Sequence, residues 1–92
     1  MKKFYQKVGD KLDYVIDWSQ WLDGDEIATS EWAVLTDLED TDTFVIVSIE
    51  NTTVTATVWV ELGTQGLSYD LKNSIATTGG RETNETIRIK VV

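Results

Sequence analysis

The sequence contains no cysteine, no histidine and no proline, and each absence removes a class of chemistry. Without cysteine there is no disulfide framework and no thiolate nucleophile, and without histidine there is no imidazole base. The usual ligands of a zinc site are missing as well. Positive charge is scarce: 8 Lys and Arg stand against 16 Asp and Glu, for a net charge of −8. A nucleic-acid binder needs clustered cations to displace counterions from phosphate, so this balance argues against DNA or RNA as a partner. No stretch approaches the roughly 18 apolar residues of a membrane-spanning helix. The early lysines Lys2, Lys3, Lys7 and Lys11 are interleaved with and followed by Asp10, Asp13 and Asp17, where a signal peptide would carry an apolar run. The expectation is one soluble domain with no cofactor, no metal and no membrane partner, because 92 residues are too few for two cores.

What the chain does have is aromatic surface and a two-residue rhythm. Four Trp, three Tyr and two Phe supply large buriable side chains, which argues against disorder despite the charge. Over residues 54–62, Val54, Ala56, Val58, Val60 and Leu62 share one face, opposite Thr53, Thr55, Thr57, Trp59 and Glu61. Leu67, Tyr69, Leu71 and Ile75 do the same over 67–77, and Ile87, Ile89 and Val91 over 83–91. Such alternation predicts strands with one face on a core, and the many threonines suit a pleated surface. Turn signals separate them: Glu50-Asn51-Thr52, Gly63-Thr64-Gln65-Gly66 and Thr78-Gly79-Gly80-Arg81, the last a hairpin.

The first third is less regular. Leu12, Tyr14, Ile16 and Trp18 alternate as a strand would, whereas Tyr14, Trp18, Trp21 and Leu22 also lie near helical spacing. A strand over 12–17 ending in a helical or turn-like segment through 18–22 competes with a helix there. Asp23-Gly24-Asp25 reads as a turn, 27–35 as a strand and 36–42 as an acidic loop. The nearly continuous run Phe44-Val45-Ile46-Val47 predicts a central strand over 43–49, covered on both faces. About six to seven short strands without a long helix predict an all-β fold, an antiparallel two-sheet immunoglobulin-like sandwich over 11–92. Residues 1–10 are expected to form an arm outside it.

Sites of chemistry are thin. Asp37-Leu38-Glu39-Asp40-Thr41-Asp42 lacks the glycine and spacing of a calcium loop and reads as solvated. Sixteen acids make chance carboxylate pairs inevitable, and no serine has a triad base, so no catalytic residue is assigned and no enzyme is expected. The sequons at Asn51 and Asn84 carry weight only in a secreted chain. The aromatic residues are divided by face. Trp18, Trp32, Tyr69, Ile87 and Ile89 are assigned to the core. Trp59, on the polar face of its strand, is a candidate contact with another chain, together with Phe4, Tyr5 and Val8 of the expected arm.

The run Leu12-Asp13-Tyr14, Ile16-Asp17-Trp18, Trp21-Leu22, Gly24-Asp25, Ile27, Ser30 and Trp32 resembles small tailed-bacteriophage proteins of the fibre–tail adaptor family. Their pattern is close to LDY-x-IDW-x-x-WL-x-GD-x-I-x-x-S-x-W. Val58-Trp59, Gly63, Gly66, Tyr69, Asn73, Ile75-Ala76-Thr77, Gly80-Arg81 and Ile87-Arg88-Ile89 extend the resemblance from Leu12 to Val91. The chain departs from the pattern at Glu61-Leu62-Gly63 and in its acidic 37–42 loop. The resemblance implies a non-enzymatic virion component of neck or tail, built in host cytoplasm and present in several copies among other virion proteins. A capsid decoration protein and a carbohydrate-binding immunoglobulin-like module are the competing functions. Tyr69 stands where a tyrosine-corner residue would, or is an ordinary core aromatic.

Overall fold

Where the sequence alternates, the chain pleats with one face inward. The computed structural model describes residues 2–35, 44–61 and 63–92. Among them are seven strands: β1 (Lys2–Gln6), β2 (Lys11–Asp17), β3 (Ile27–Val34), β4 (Val45–Asn51), β5 (Thr55–Glu61), β6 (Ser68–Thr77) and β7 (Glu82–Val91). A single helical turn, α1 (Ser19–Leu22), follows β2. The region therefore follows the first reading, a strand ending in one helical turn, and not the competing helix. Two sheets face each other, with strand orders β1-β7-β6-β3 and β2-β5-β4. All pairings are antiparallel except β1 with β7, which is parallel.

The core fills the space between the sheets. Ala56, Val58 and Val60 from β5 meet Tyr69, Leu71 and Ile75 from β6 and Ile87, Ile89 and Val91 from β7, all buried. Trp18, Tyr69, Ile87 and Ile89 lie in the core as expected, but Trp32 is only partly buried, because β3 is an edge strand. The Trp32 indole N–H is nonetheless shielded from water and has no acceptor among the described residues. Tyr69 takes both roles left open for it. Its ring stacks on Phe44 at 4.2 Å, and its hydroxyl accepts the Thr64 backbone N–H at 3.0 Å, the tyrosine-corner bond. Beside it Gly63 sits at φ +107°, where a Cβ would come within 2.8 Å of Val91 Cγ2. Only glycine fits both the backbone and the space.

Two expectations fail, each for a physical reason. Residues 2–10 are not an arm: β1 adds a strand to the four-stranded sheet, and Phe4 and Gln6 point inward while Lys3 and Tyr5 point out. The alternation was hidden because an inward position is a glutamine. Gln6 is 1% exposed yet satisfied, accepting from Tyr14 Oη at 2.8 Å and donating to the Asp10 carbonyl at 2.8 Å. The apolar run over 43–49 is not central either: β4 is the edge of the three-stranded sheet, with Val45, Val47 and Ile49 exposed. Its continuity reflects a β-bulge between Ile46 and Ser48, not burial on both faces. β4 also runs through Asn51, so the turn starts at Thr52, two residues later than expected. The acidic loop expected over 36–42 lies outside the described residues.

Besides the Tyr14–Gln6 bond, a second polar cluster ties the sheets. Asn73 of β6 is fully buried; its Oδ1 accepts Trp18 Nε1–H at 3.0 Å, and its Nδ2 donates to Ser30 Oγ at 2.9 Å and the Glu31 carbonyl at 3.0 Å. Replacing Asn73 with alanine strands the indole donor and opens a gap. Leaving a buried donor unsatisfied costs about 1–3 kcal/mol, so the Asn73→Ala variant is expected to lose about that much unfolding free energy and to unfold at a lower denaturant midpoint with an unchanged slope, measured by intrinsic tryptophan fluorescence.

Candidate functional site

Two kinds of feature stand out on the surface: a clamp at one end of the sandwich and the outward faces of the two sheets. The clamp grows from the core. The Trp18 carbonyl accepts the Leu22 N–H at 2.9 Å, closing α1, and the Trp18 and Trp21 rings meet edge to face at 5.7 Å. Arg81, just after the β6–β7 turn, lies over the Trp21 ring at 4.4 Å and donates to the Leu22 carbonyl at 2.6 Å. Its Nε reaches Asp25 Oδ2 at 3.2 Å. The other carboxylate oxygen, Asp25 Oδ1, accepts the Glu26 N–H at 2.8 Å, the Thr78 hydroxyl at 3.1 Å and the Gly79 N–H at 3.1 Å. A side chain at Gly79 would meet that carboxylate at 2.8 Å, so glycine is what lets the hairpin close on it.

So many donors hold the Asp25 carboxyl well below its ordinary value of 3.8, with the Thr77 hydroxyl foremost, then the Glu26 N–H, Thr78 and Arg81. Asp17 is lowered as well, chiefly by the Ser19 N–H at 2.9 Å. Arg88 and Asp70 face each other across β7 and β6 in a two-bond pair of 2.7 and 3.1 Å, which lowers the carboxyl and raises the guanidinium. Burial, then Asp10 and Asp13, raises the Tyr14 hydroxyl. These groups are satisfied within the fold. Among the described residues no group of three or more His, Cys, Asp or Glu is arranged to hold a metal ion.

The four residues expected to bind a partner are dispersed. Phe4 turns inward against Tyr14, with ring centroids 4.9 Å apart, and belongs with the core. Tyr5 is 68% exposed on the outer face of the four-stranded sheet, and Val8 is exposed in the β1–β2 turn. Trp59 lies on the outer face of the three-stranded sheet, as its register required, but is half-buried between Asp13 of β2 and Ser48 of β4. Sequence reasoning missed the clamp and the β4 edge. The Gly24-Asp25 and Gly80-Arg81 pairs were the available signal for the clamp, 56 residues apart from Asp25 to Arg81.

With this geometry in hand, the chain can be set beside known proteins. Residues 6–90 match the family described as podophage GP4 fiber-tail adaptor protein gp77. Comparison with curated protein sequences gives no match. Among solved structures, the solution structure of the PKD domain from the KIAA 1837 protein is similar, with a TM-score of 0.54 and 19% identity. That similarity covers 98% of this chain and 78% of the other, and it supports the two-sheet immunoglobulin-like fold.

The clamp makes a pH prediction. A carboxyl whose folded value is lowered binds fewer protons than its unfolded counterpart as pH falls. Its stabilisation is complete above the unfolded value and is lost as pH drops through the ordinary carboxylate range and below. Asp25→Asn is therefore expected to lower the melting temperature at about pH 7, and the difference from the wild type is expected to have narrowed by about pH 3. Thermal circular dichroism at both values tests this; an equal difference at both would refute it. Asp70 and Asp17 keep some acid sensitivity in the variant, since both are lowered too.

Proposed function

The chain belongs to the podophage fiber-tail adaptor family, which it matches over residues 6–90, and from that membership we propose that it is a non-enzymatic structural protein of the virion neck or tail. In this role it joins the tail, or the connector between head and tail, to a fibre. It acts in several copies and contacts other virion proteins rather than nucleic acid or membrane. A joint of this kind works through surfaces, and the chain offers surfaces.

The observation that carries the reading is β4. An edge strand presents unpaired backbone groups, and proteins that stay alone blunt such edges with lysines, prolines or a covering element. The β4 edge carries no lysine and no proline, and it leaves Val45, Val47 and Ile49 at 44, 40 and 48% exposure. Among the described residues its outer edge has no strand partner. A strand or apolar ridge of a neighbouring virion protein satisfies both needs together. The β-bulge limits how far an indiscriminate partner can extend the sheet, which favours a specific neighbour over open-ended aggregation.

Particles assembled without this protein are expected to have filled heads and tails but no attached fibres, as seen by electron microscopy. Normal fibre attachment would overturn the reading. Complementation with the double variant Val45→Lys and Val47→Lys gives a sharper test. Both side chains are solvent-exposed, so stability should change by no more than about 0.5 kcal/mol, while incorporation into particles, measured by quantitative mass spectrometry, should fall at least about tenfold.

A further inference from the structure

The outer faces of the two sheets carry opposite charge. On the three-stranded sheet, the register sets Asp13 beside Trp59, Lys11 and Val45 beside Glu61, and Glu50 beside Thr57, with Val15 and Asp17 on the same face of β2. Four carboxylates thus share this face with one indole, against the single cation Lys11. On the four-stranded sheet, Tyr5 lies beside Lys90, Lys3 beside Arg88, and Lys72 one strand further in. Four cations stand there around one exposed phenol, against Asp70, which Arg88 already binds. Glu31 and Glu82 share this sheet but lie toward its other end, near the β6–β7 hairpin. Among the described residues, Asp13, Glu50 and Glu61 make no ion pair on the first face, nor do Lys3, Lys72 and Lys90 on the second.

The basic patch lies toward one end of the sandwich, and on the opposite face Asp13, Trp59 and Glu61 lie toward that same end, whereas Glu50 and Asp17 lie toward the clamp. That end gathers the β1–β2 turn, the 63–66 loop and the last residue, through Val8 N–H to the Val92 carbonyl at 3.1 Å and Gly66 N–H to the Val91 carbonyl at 2.8 Å. Lys11 and Glu61 border these loops from one sheet, and Tyr5 and Lys90 from the other.

We propose that copies of this chain associate side by side with their long axes parallel, the acidic Trp59 face of one seated on the basic Tyr5 face of the next. Charge decides between the two ways in which identical copies can meet. A two-fold pair must place each face on itself, acid on acid or cation on cation, which is repulsive. A head-to-tail contact joins opposite faces, and because Asp13, Trp59 and Glu61 sit near the height of Tyr5, Arg88 and Lys90, the neighbours point the same way. Repeated with a rotation that closes, such a contact makes a ring with every copy's clamp end on one side; without closure it makes an open filament. The inference rests on the charges of the two faces and not on the adaptor role, so each can fail alone. The Cα envelope measures 41 × 21 × 20 Å, so one face offers at most about the 800 Å² per partner of an ordinary interface. Pairwise association outside a ring is accordingly weak.

The test uses the full chain at low ionic strength and roughly millimolar concentration, the range in which a weak interface is populated. The readouts are sedimentation velocity and the concentration dependence of amide and indole NMR resonances. The wild type is expected to associate, with shifts centred on Trp59 and on Tyr5 and Lys90, and to dissociate in high salt. One variant, Asp13→Lys with Glu61→Lys, makes both faces basic; a second, Lys3→Glu with Lys90→Glu, makes both acidic. Each alone should lose association at least about tenfold, and an equimolar mixture should recover it. Circular dichroism confirms that the variants fold; should one not fold, the wild-type salt series and shift map decide. A monomeric wild type, salt-insensitive association, shifts on other surfaces, or folded variants that associate as the wild type does or fail to rescue each other would overturn the proposal.

Discussion

The structure depends on a buried amide. Asn73 sits in the middle of β6 with no exposure to water, and an unsatisfied amide there would be costly in a low-dielectric interior. It is satisfied only when three parts of the chain meet: the Trp18 indole from the end of β2, Ser30 Oγ and the Glu31 carbonyl from β3. Hydrophobic burial alone would let the two sheets slide or rotate with little penalty, because apolar contacts are not directional. The amide removes that freedom by admitting one relative placement.

From that point order propagates outward. Trp18 closes α1, α1 presents Trp21, Trp21 supports Arg81, and Arg81 meets Asp25 across the end of the sandwich. The residues that carry the family resemblance in the first third and around the last hairpin are largely those of this chain of contacts: Asp17, Trp18, Trp21, Asp25, Ser30, Asn73, Thr77 and Arg81. Their shared work is scaffolding. Satisfied side chains have little left to offer a neighbour, so attachment falls to the outward faces and the β4 edge, where the resemblance reaches Asp13, Trp59 and Arg88 but no residue of β4.

Much of this was readable from the residues in order. β5, β6 and β7 followed from alternation, and the β6–β7 hairpin from its paired glycines, because each signal lies within a few residues. The Trp59 face was also readable, since register fixes direction even when it does not fix depth. β1 was not, because its inward Gln6 looks like a surface residue until Tyr14 and Asp10 are seen to satisfy it. β4 was misread because a continuous apolar run means burial on two faces only if something covers both. The Asn73–Trp18 bond and the Asp25 clamp join residues more than fifty positions apart, and local pattern does not reach that far. Nor does it say which strands end up neighbours, and without that the sorting of charge between the two faces cannot be seen.

The parallel pairing of β1 with β7 has a mechanical side. Chain direction along β1 and β7 is the same, so the chain enters the pair at Lys2, opposite Ile87 midway along β7, and leaves it beyond Val91 at the end away from the clamp. Tension applied between the two ends of the polypeptide therefore runs along these strands, not across them. Their rungs are strained together in shear, whereas an antiparallel hairpin pulled at its open end peels one rung at a time. A domain wired in this way resists a tug along its length, a useful property for any piece that must keep its shape while something attached to it is pulled.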